Sequence, residues 1–144
     1  MRQLLVLLAA CSAKTAAPSG VEYIDAPEGA DVGKLVQQTA SAHAGRRLVV
    51  YVGASWCEPC QEIHHAIEQH KLDAEFPDLT LLAFDLDRDG SRLSLDGYDS
   101  ELIPLFALPG PDGRASGKKE FGGKKGVDNV PLLTAKLHHL LDQK

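Results

Sequence analysis

The sequence predicts an α/β fold in which helices cover both faces of a mixed β-sheet. Three observations carry that expectation. Two apolar runs, "RLVVYVGA" and "LTLLAF", lack the alternation of a one-sided strand and read as strands buried on both faces. A third run, "IPLFAL", is followed by "PGPDGR", whose composition demands a turn and therefore an antiparallel partner. Stretches of helical periodicity separate the runs, giving the order β-α-β-α-β, then a hairpin and a helix, over residues 21–144.

Val21–Ile24 is the first short strand. Asp31 can cap a helix reaching to about Ala44, with Val32, Leu35, Val36 and Thr39 on one face and Gly45 after its end. Leu48–Val52 is the first buried strand. A helix follows from about Cys57 to Lys71, burying Cys60, Ile63, Ala66 and Ile67. Leu79–Phe84 is the next strand, and an Asp-rich loop with a short polar stretch leads to the strand Ile103–Leu108. After the turn at Pro109–Arg114, a strand ending near Phe121 pairs antiparallel. The closing helix turns Val130, Leu133, Leu137, Leu140 and Leu141 inward, and its His138 and His139 suit the negative end of the helix dipole.

A chain of 144 residues, 44% apolar and 24% charged, fits one globular domain. Three cysteines exclude a fold built on disulfides. A formal charge of −5 argues against a nucleic-acid surface, and no nucleic-acid partner is expected. The pairs Lys118–Lys119 and Lys124–Lys125 read as solvated hairpin ends that protect a strand edge.

The start of the chain has a different character. "MRQLLVLLAAC" places Arg2 before an apolar run from Leu4 to Ala10, too short for a bilayer span of about 20 residues but suited to an export signal. "LAAC", Leu8 to Cys11, resembles a bacterial lipobox, which implies acylation of Cys11 and removal of residues 1–10. The small, polar run to Gly20 suits a flexible tether over residues 11–20, leaving residues 21–144 as the folded domain. The expected location is the bacterial envelope, on its periplasmic face, with a lipid anchor at Cys11. A signal cleaved without lipidation, or an N-terminal strand that buries Cys11, is the alternative.

"SWCEPCQE" sets Cys57 and Cys60 two residues apart. The pair can be a redox couple, part of a metal site, or a structural disulfide. As a structural disulfide it closes a very small ring, where loop entropy contributes little. Zinc asks for four ligands, of which one CxxC supplies two; His64, one helical turn on, offers a third to copper or zinc. Gln61 stands where haem attachment needs histidine.

A buried strand that ends in "WCEPC" and runs into a helix, with "IPLF" before a later strand, resembles the thioredoxin family. The likeness implies a thioredoxin-like three-layer fold and thiol–disulfide exchange on protein substrates. It implies that Cys57 is the nucleophile and Cys60, more buried and one turn later, the resolving thiol. It also implies a cis bond before Pro104, with the Ile103 backbone free to pair with a substrate strand. At a helix start, unsatisfied N–H groups and the dipole favour the Cys57 thiolate. Pro59 fits the first turn, where no N–H is needed, and Trp56 packs beside the site. Glu58 adds negative charge next to Cys57, which disfavours a strongly stabilised thiolate and points to a reductase rather than a strong oxidant.

Two positions depart from that family. Thioredoxins bury an aspartate six residues before the first cysteine, where this chain has Tyr51, and the lysine that partners it falls at Ala83. Proton handling for Cys60 must then use water, Glu58 or a group that the sequence does not single out.

"DLDRDGSRLSLD", Asp85 to Asp96, matches part of a calcium-binding EF-hand loop. A strand rather than a helix precedes it, and Arg88 and Arg92 add positive charge, so calcium is not expected. The reading that combines these features is a monomeric, envelope-tethered thiol–disulfide oxidoreductase that needs no cofactor and draws electrons from a membrane donor. A copper- or zinc-delivery module on the same fold, or a non-catalytic anchored adaptor, is the alternative.

Overall fold

The computed structural model describes residues 19–143; Cys11, the expected export signal and most of the expected tether lie outside them. Strands β1 (Glu22–Asp25), β2 (Arg47–Gly53), β3 (Leu79–Asp85), β4 (Leu105–Pro109) and β5 (Ala115–Phe121) form one sheet in the order β1-β3-β2-β4-β5. β1, β3 and β2 run parallel, whereas β4 is antiparallel to β2 and β5 to β4. Helices α1 (Val32–Ala42) and α3 (Leu86–Leu95) cover one face, α2 (Glu58–Glu68) and α4 (Asn129–Leu141) the other. This is the three-layer architecture expected from the element order.

The continuous apolar strands explain the layers. In β2, Val49 and Tyr51 turn to the α2/α4 face while Val50 and Val52 turn to α1 and α3; all four are buried. In β3, Leu81 and Ala83 take the first face, Leu82 and Phe84 the second. Burying such a side chain stabilises by about 1.5–3 kcal/mol, so the central strands hold the molecule together. Asp31 caps α1 through the Lys34 N–H at 2.8 Å, and Asp128 caps α4 through the Val130 N–H at 3.1 Å.

Four expectations change. The Asp-rich stretch is not a loop: Asp85 caps α3, its Oδ1 accepting the Arg88 N–H at 3.0 Å, and the next ten residues are helical. Leu86 and Leu93 pack inward from it. The EF-hand resemblance therefore falls on a helix and makes no ion-binding loop. α2 ends at Glu68 rather than Lys71, and β4 starts at Leu105, after Ile103 and Pro104. Lys118 and Lys119 do sit on the edge strand β5, but Lys124 and Lys125 lie in the β5–α4 connection.

Asp89 is 1% exposed inside α3. It accepts the Asp85 N–H at 3.2 Å, two donors of the Arg88 guanidinium at 2.8–3.1 Å, and Arg92. Burial alone would raise its pKa; the Arg88 hydrogen bonds, the Asp85 N–H and the two positive charges outweigh it and hold the carboxyl below its ordinary value. Arg88 also donates to the Ala26 carbonyl at 2.8 Å, fastening α3 to the end of β1. Asp89→Ala is expected to destabilise the fold by about 2–3 kcal/mol, because the arginine heads stay partly in water and lose less than a fully buried pair. With a folded-state pKa below the unfolded one, the contribution is complete above about pH 4 and fades as pH falls through the depressed value. Urea unfolding of both proteins across that range checks it.

Candidate active site

β2 ends at Gly53, buried between β3 and β4, and delivers Cys57 to the first turn of α2. Cys57 keeps extended backbone angles (φ −86°, ψ 106°) and is the N-cap of the helix. Its N–H donates to the Ala54 carbonyl at 3.1 Å and its own carbonyl accepts the Gln61 N–H at 3.0 Å. The cap atom is sulfur: Cys57 Sγ accepts the Cys60 N–H at 3.3 Å. A helix start concentrates unsatisfied N–H groups and positive potential at that sulfur. Glu58 and Pro59 are the first two helical residues, where proline costs no hydrogen bond.

Cys57 and Cys60 are joined in a disulfide with Cα atoms 5.2 Å apart. Cys57 is 5% exposed and Cys60 4%. The expected contrast, an exposed nucleophile over a buried partner, is not present in this oxidised form. Both residues pack into the α2-side core, and what differs is the space each adjoins.

Cys57 adjoins a cleft of about 580 Å³ whose walls include Trp56, Pro59, Leu102, Ile103 and Gly123. Trp56 is 63% exposed, and its Nε1 donates to Asp87 Oδ2 on α3 at 2.9 Å. The Ile103–Pro104 bond is cis, and the Pro104 carbonyl accepts the Gly122 N–H at 2.9 Å, tying this corner to the end of β5. Trp56, Glu58, Pro59 and Ile103 thus gather around Cys57, while Pro104 is buried behind Ile103.

Cys60 adjoins a second cleft, of about 310 Å³, on the opposite side, lined also by Tyr23, Tyr51, Gly53 and His64. The Tyr51 hydroxyl donates to the Cys60 carbonyl at 3.4 Å. Gly53 makes room for it, since a Cβ there would lie 2.8 Å from that hydroxyl. Burial first, then the neighbouring Tyr23, raise the Tyr51 pKa far above its ordinary value, so the phenol stays protonated. His64 stacks on the Tyr23 ring at 4.4 Å and places Nε2 3.7 Å from Glu68. Among the described residues no group of three His, Cys, Asp or Glu is arranged to hold a metal ion.

Sequence reasoning missed the support beneath α2. Glu62 accepts the Asn129 N–H at 2.7 Å and its side-chain amide at 3.3 Å, while Asn129 also holds the Lys124 N–H and carbonyl at 2.8 and 2.9 Å. Asn129 is 0% exposed at the head of α4, a burial that its hydrogen bonds satisfy and that no local sequence pattern signals.

No protein-family model matches the sequence, and no curated protein is significantly similar to it. Solved structures are. A thioredoxin from Fasciola hepatica matches with a TM-score of 0.53 at 19% identity, over 82% of this chain and 97% of its own. A thioredoxin from Trypanosoma brucei brucei gives 0.52 at 21% identity, over 90% and 97%, and a variant thioredoxin from Halobacterium salinarum 0.52 at 19%, over 90% and 98%. The chain has the thioredoxin fold.

On that fold the CxxC pair occupies the junction of a central strand with its following helix, beside the cis-proline corner. The departure at Tyr51 is structural as well as chemical. Tyr51 and Ala83 are register partners on β2 and β3, so the aspartate–lysine pair of thioredoxins gives way to a large apolar ring beside a small one-carbon side chain. Gly123 tests how tightly the corner is built: a Cβ there would lie 2.5 Å from Pro59 Cβ and 2.6 Å from Asn129 Oδ1. Gly123→Ala is expected to destabilise the protein by about 1–3 kcal/mol through overpacking, measured by urea unfolding of the oxidised form.

Proposed function

We propose that the protein reduces disulfides of exported proteins, as a thioredoxin-like thiol–disulfide oxidoreductase of the bacterial envelope. The observation that carries this reading is Cys57 Sγ, held as a helix N-cap by the Cys60 N–H, at the edge of the cleft beside Ile103. In the reduced protein the Cys57 thiolate attacks one sulfur of a substrate disulfide. A mixed disulfide forms and the other substrate sulfur leaves as thiolate. Cys60, as thiolate, then attacks Cys57 Sγ, the Cys57–Cys60 bond forms, and the second substrate thiolate is released. Two electrons pass to the substrate, whose thiolates take up two protons; a dithiol donor of the membrane restores the pair.

Glu58 supports the direction. Its carboxylate next to Cys57 opposes a second negative charge and so limits the stabilisation of the reduced form that makes a strong oxidant. A lipid at Cys11 supplies the tether in this reading. Gly20 and Val21 are pinned by the Pro77 carbonyl at 2.7 Å, Asp73 at 3.0 Å and Arg46 at 2.6 Å. These contacts lie where β1 and β3 begin, whereas Cys57 follows the other end of β2. A tether leaving from there attaches at the end of the sheet away from the dithiol.

Cys57→Ser is expected to abolish reduction of insulin in dithiothreitol, and Cys60→Ser to accumulate a mixed disulfide visible by mass spectrometry. A Cys57/Cys60 potential near about −270 mV supports the reductase; one near about −120 mV assigns an oxidant instead. In a bacterial host, Cys11→Ser is expected to move the protein from the membrane fraction to the soluble one. Retention in the membrane would remove the anchor from the proposal.

A further inference from the structure

The resolving step needs Cys60 to lose a proton, and the group that usually takes it on this fold is replaced. At that depth β2 presents Tyr51 and β3, in register with it, Ala83. The Tyr51 hydroxyl is committed as a donor to the Cys60 carbonyl, and its burial keeps the proton on it. It can fix the turn that carries Cys60, but it cannot accept a proton.

What lies behind Cys60 instead is open space. The cleft of about 310 Å³ has room for several waters, at roughly 30 Å³ each. His64, four residues after Cys60, lies on the same face of α2 and lines the same cleft. Its ring is held flat against Tyr23, which meets Tyr51 edge-on at 5.8 Å, so Cys60, Tyr51, Tyr23 and His64 share the lining of one open cleft. The charged and titratable groups that face His64 are Glu68 on its own helix, Tyr23 and Asp25 from β1, Tyr51 from β2, and Asp85 and Arg88 from the β3–α3 junction. Asp85 is occupied in capping α3, and Asp25 is exposed at the end of β1. An imidazole is far closer to a thiol in proton affinity and is the side chain suited to exchange near neutral pH.

Resting on the dithiol chemistry proposed above, we propose that Cys60 passes its proton through this cleft to the His64 imidazole, with Tyr51 as the positioning residue. Water in the cleft relays the proton: the Cys60 S–H bond breaks, His64 becomes imidazolium, and the thiolate attacks Cys57 Sγ of the mixed disulfide. The imidazolium returns its proton to solvent once the substrate thiolate has left. The first attack, by Cys57 on the other side of the helix turn, does not use this route.

Ellman's reagent separates the two steps in full-length protein carrying Cys11→Ser, because Cys57 releases one thionitrobenzoate on attack and Cys60 a second on resolution. His64→Gln is expected to slow the second release roughly tenfold or more at pH 7, and to flatten its pH dependence between about pH 5 and 8, with the first release unchanged. In His64→Ala, added imidazole is expected to restore the second phase, a recovery that a merely structural role for His64 would not show. Tyr51→Phe is expected to slow the second phase several-fold while keeping the wild-type pH profile. An unchanged second phase in His64→Gln, equal slowing of both phases, no rescue by imidazole, or transfer of the effect to Asp25→Asn would each overturn the proposal. Loss of the first phase in wild-type protein would instead defeat the proposed dithiol chemistry itself.

Discussion

The structure turns on one residue having two duties. Cys57 ends the path out of the central strand β2 and also caps the helix that follows, with its sulfur as the capping atom. A serine or aspartate would cap as well or better by oxygen, so sulfur at this position is chosen for reactivity rather than for helix stability. The arrangement works only if the strand end and the helix start are both fixed. β2 is fixed by partners on each side; α2 is fixed by Ile63, Ala66 and Ile67 in the core and by Glu62 holding the head of α4. The sulfur is therefore placed by the whole sheet, and local loop flexibility has little say in it.

The cleft beside Cys57 shows how distant parts of the chain converge on that sulfur. Trp56 comes from the strand–helix junction, Leu102 and Ile103 from the cis-proline corner, and Gly123 from the end of β5. Trp56 is large and exposed, yet oriented, because its indole N–H is held by Asp87. Asp87 stands in the first turn of α3, and α3 is fastened by Asp89, buried between two arginines. An ion cluster that never touches the dithiol thus sets the posture of the side chain that borders it. The energetic dependence runs from Asp89 to α3, from α3 to Asp87, and only then to the site.

Much of this was legible. The uninterrupted apolar runs of β2 and β3 can be satisfied only by two-sided burial, and the CxxC spacing at a strand–helix boundary limits the chemistry sharply. α3 was not legible, for a physical reason. Its ten residues include Gly90, two serines and two aspartates, all weak helix formers, and one of its three leucines, Leu95, faces water. The helix exists because Asp85 caps it and because Asp89 finds its arginines one and three residues away, with Arg88 reaching across to Ala26. An Asp-rich string looks like a loop until those partners are placed. The Glu62–Asn129 contact spans 67 positions and leaves no local pattern at all. The near-equal burial of Cys57 and Cys60 likewise comes from what packs over the turn, which spacing does not encode.

The exchange at Tyr51 and Ala83 follows from the same packing logic. A buried carboxylate beside a lysine carries a large desolvation penalty that good geometry only partly offsets. An aromatic ring next to a methyl group fills comparable space without that penalty: Tyr51 packs on Phe106 at 5.4 Å and edge-on to Tyr23. Tyr51 and Ala83 leave no carboxylate at this register position beneath Cys60. Something must then connect that sulfur to water, and the cleft behind Cys60 provides the connection at a place where the strands end and solvent can enter. Stability and proton transfer, joined in one buried pair in the family this chain resembles, are here divided between a core that is nearly free of charge and a surface histidine one turn along the helix.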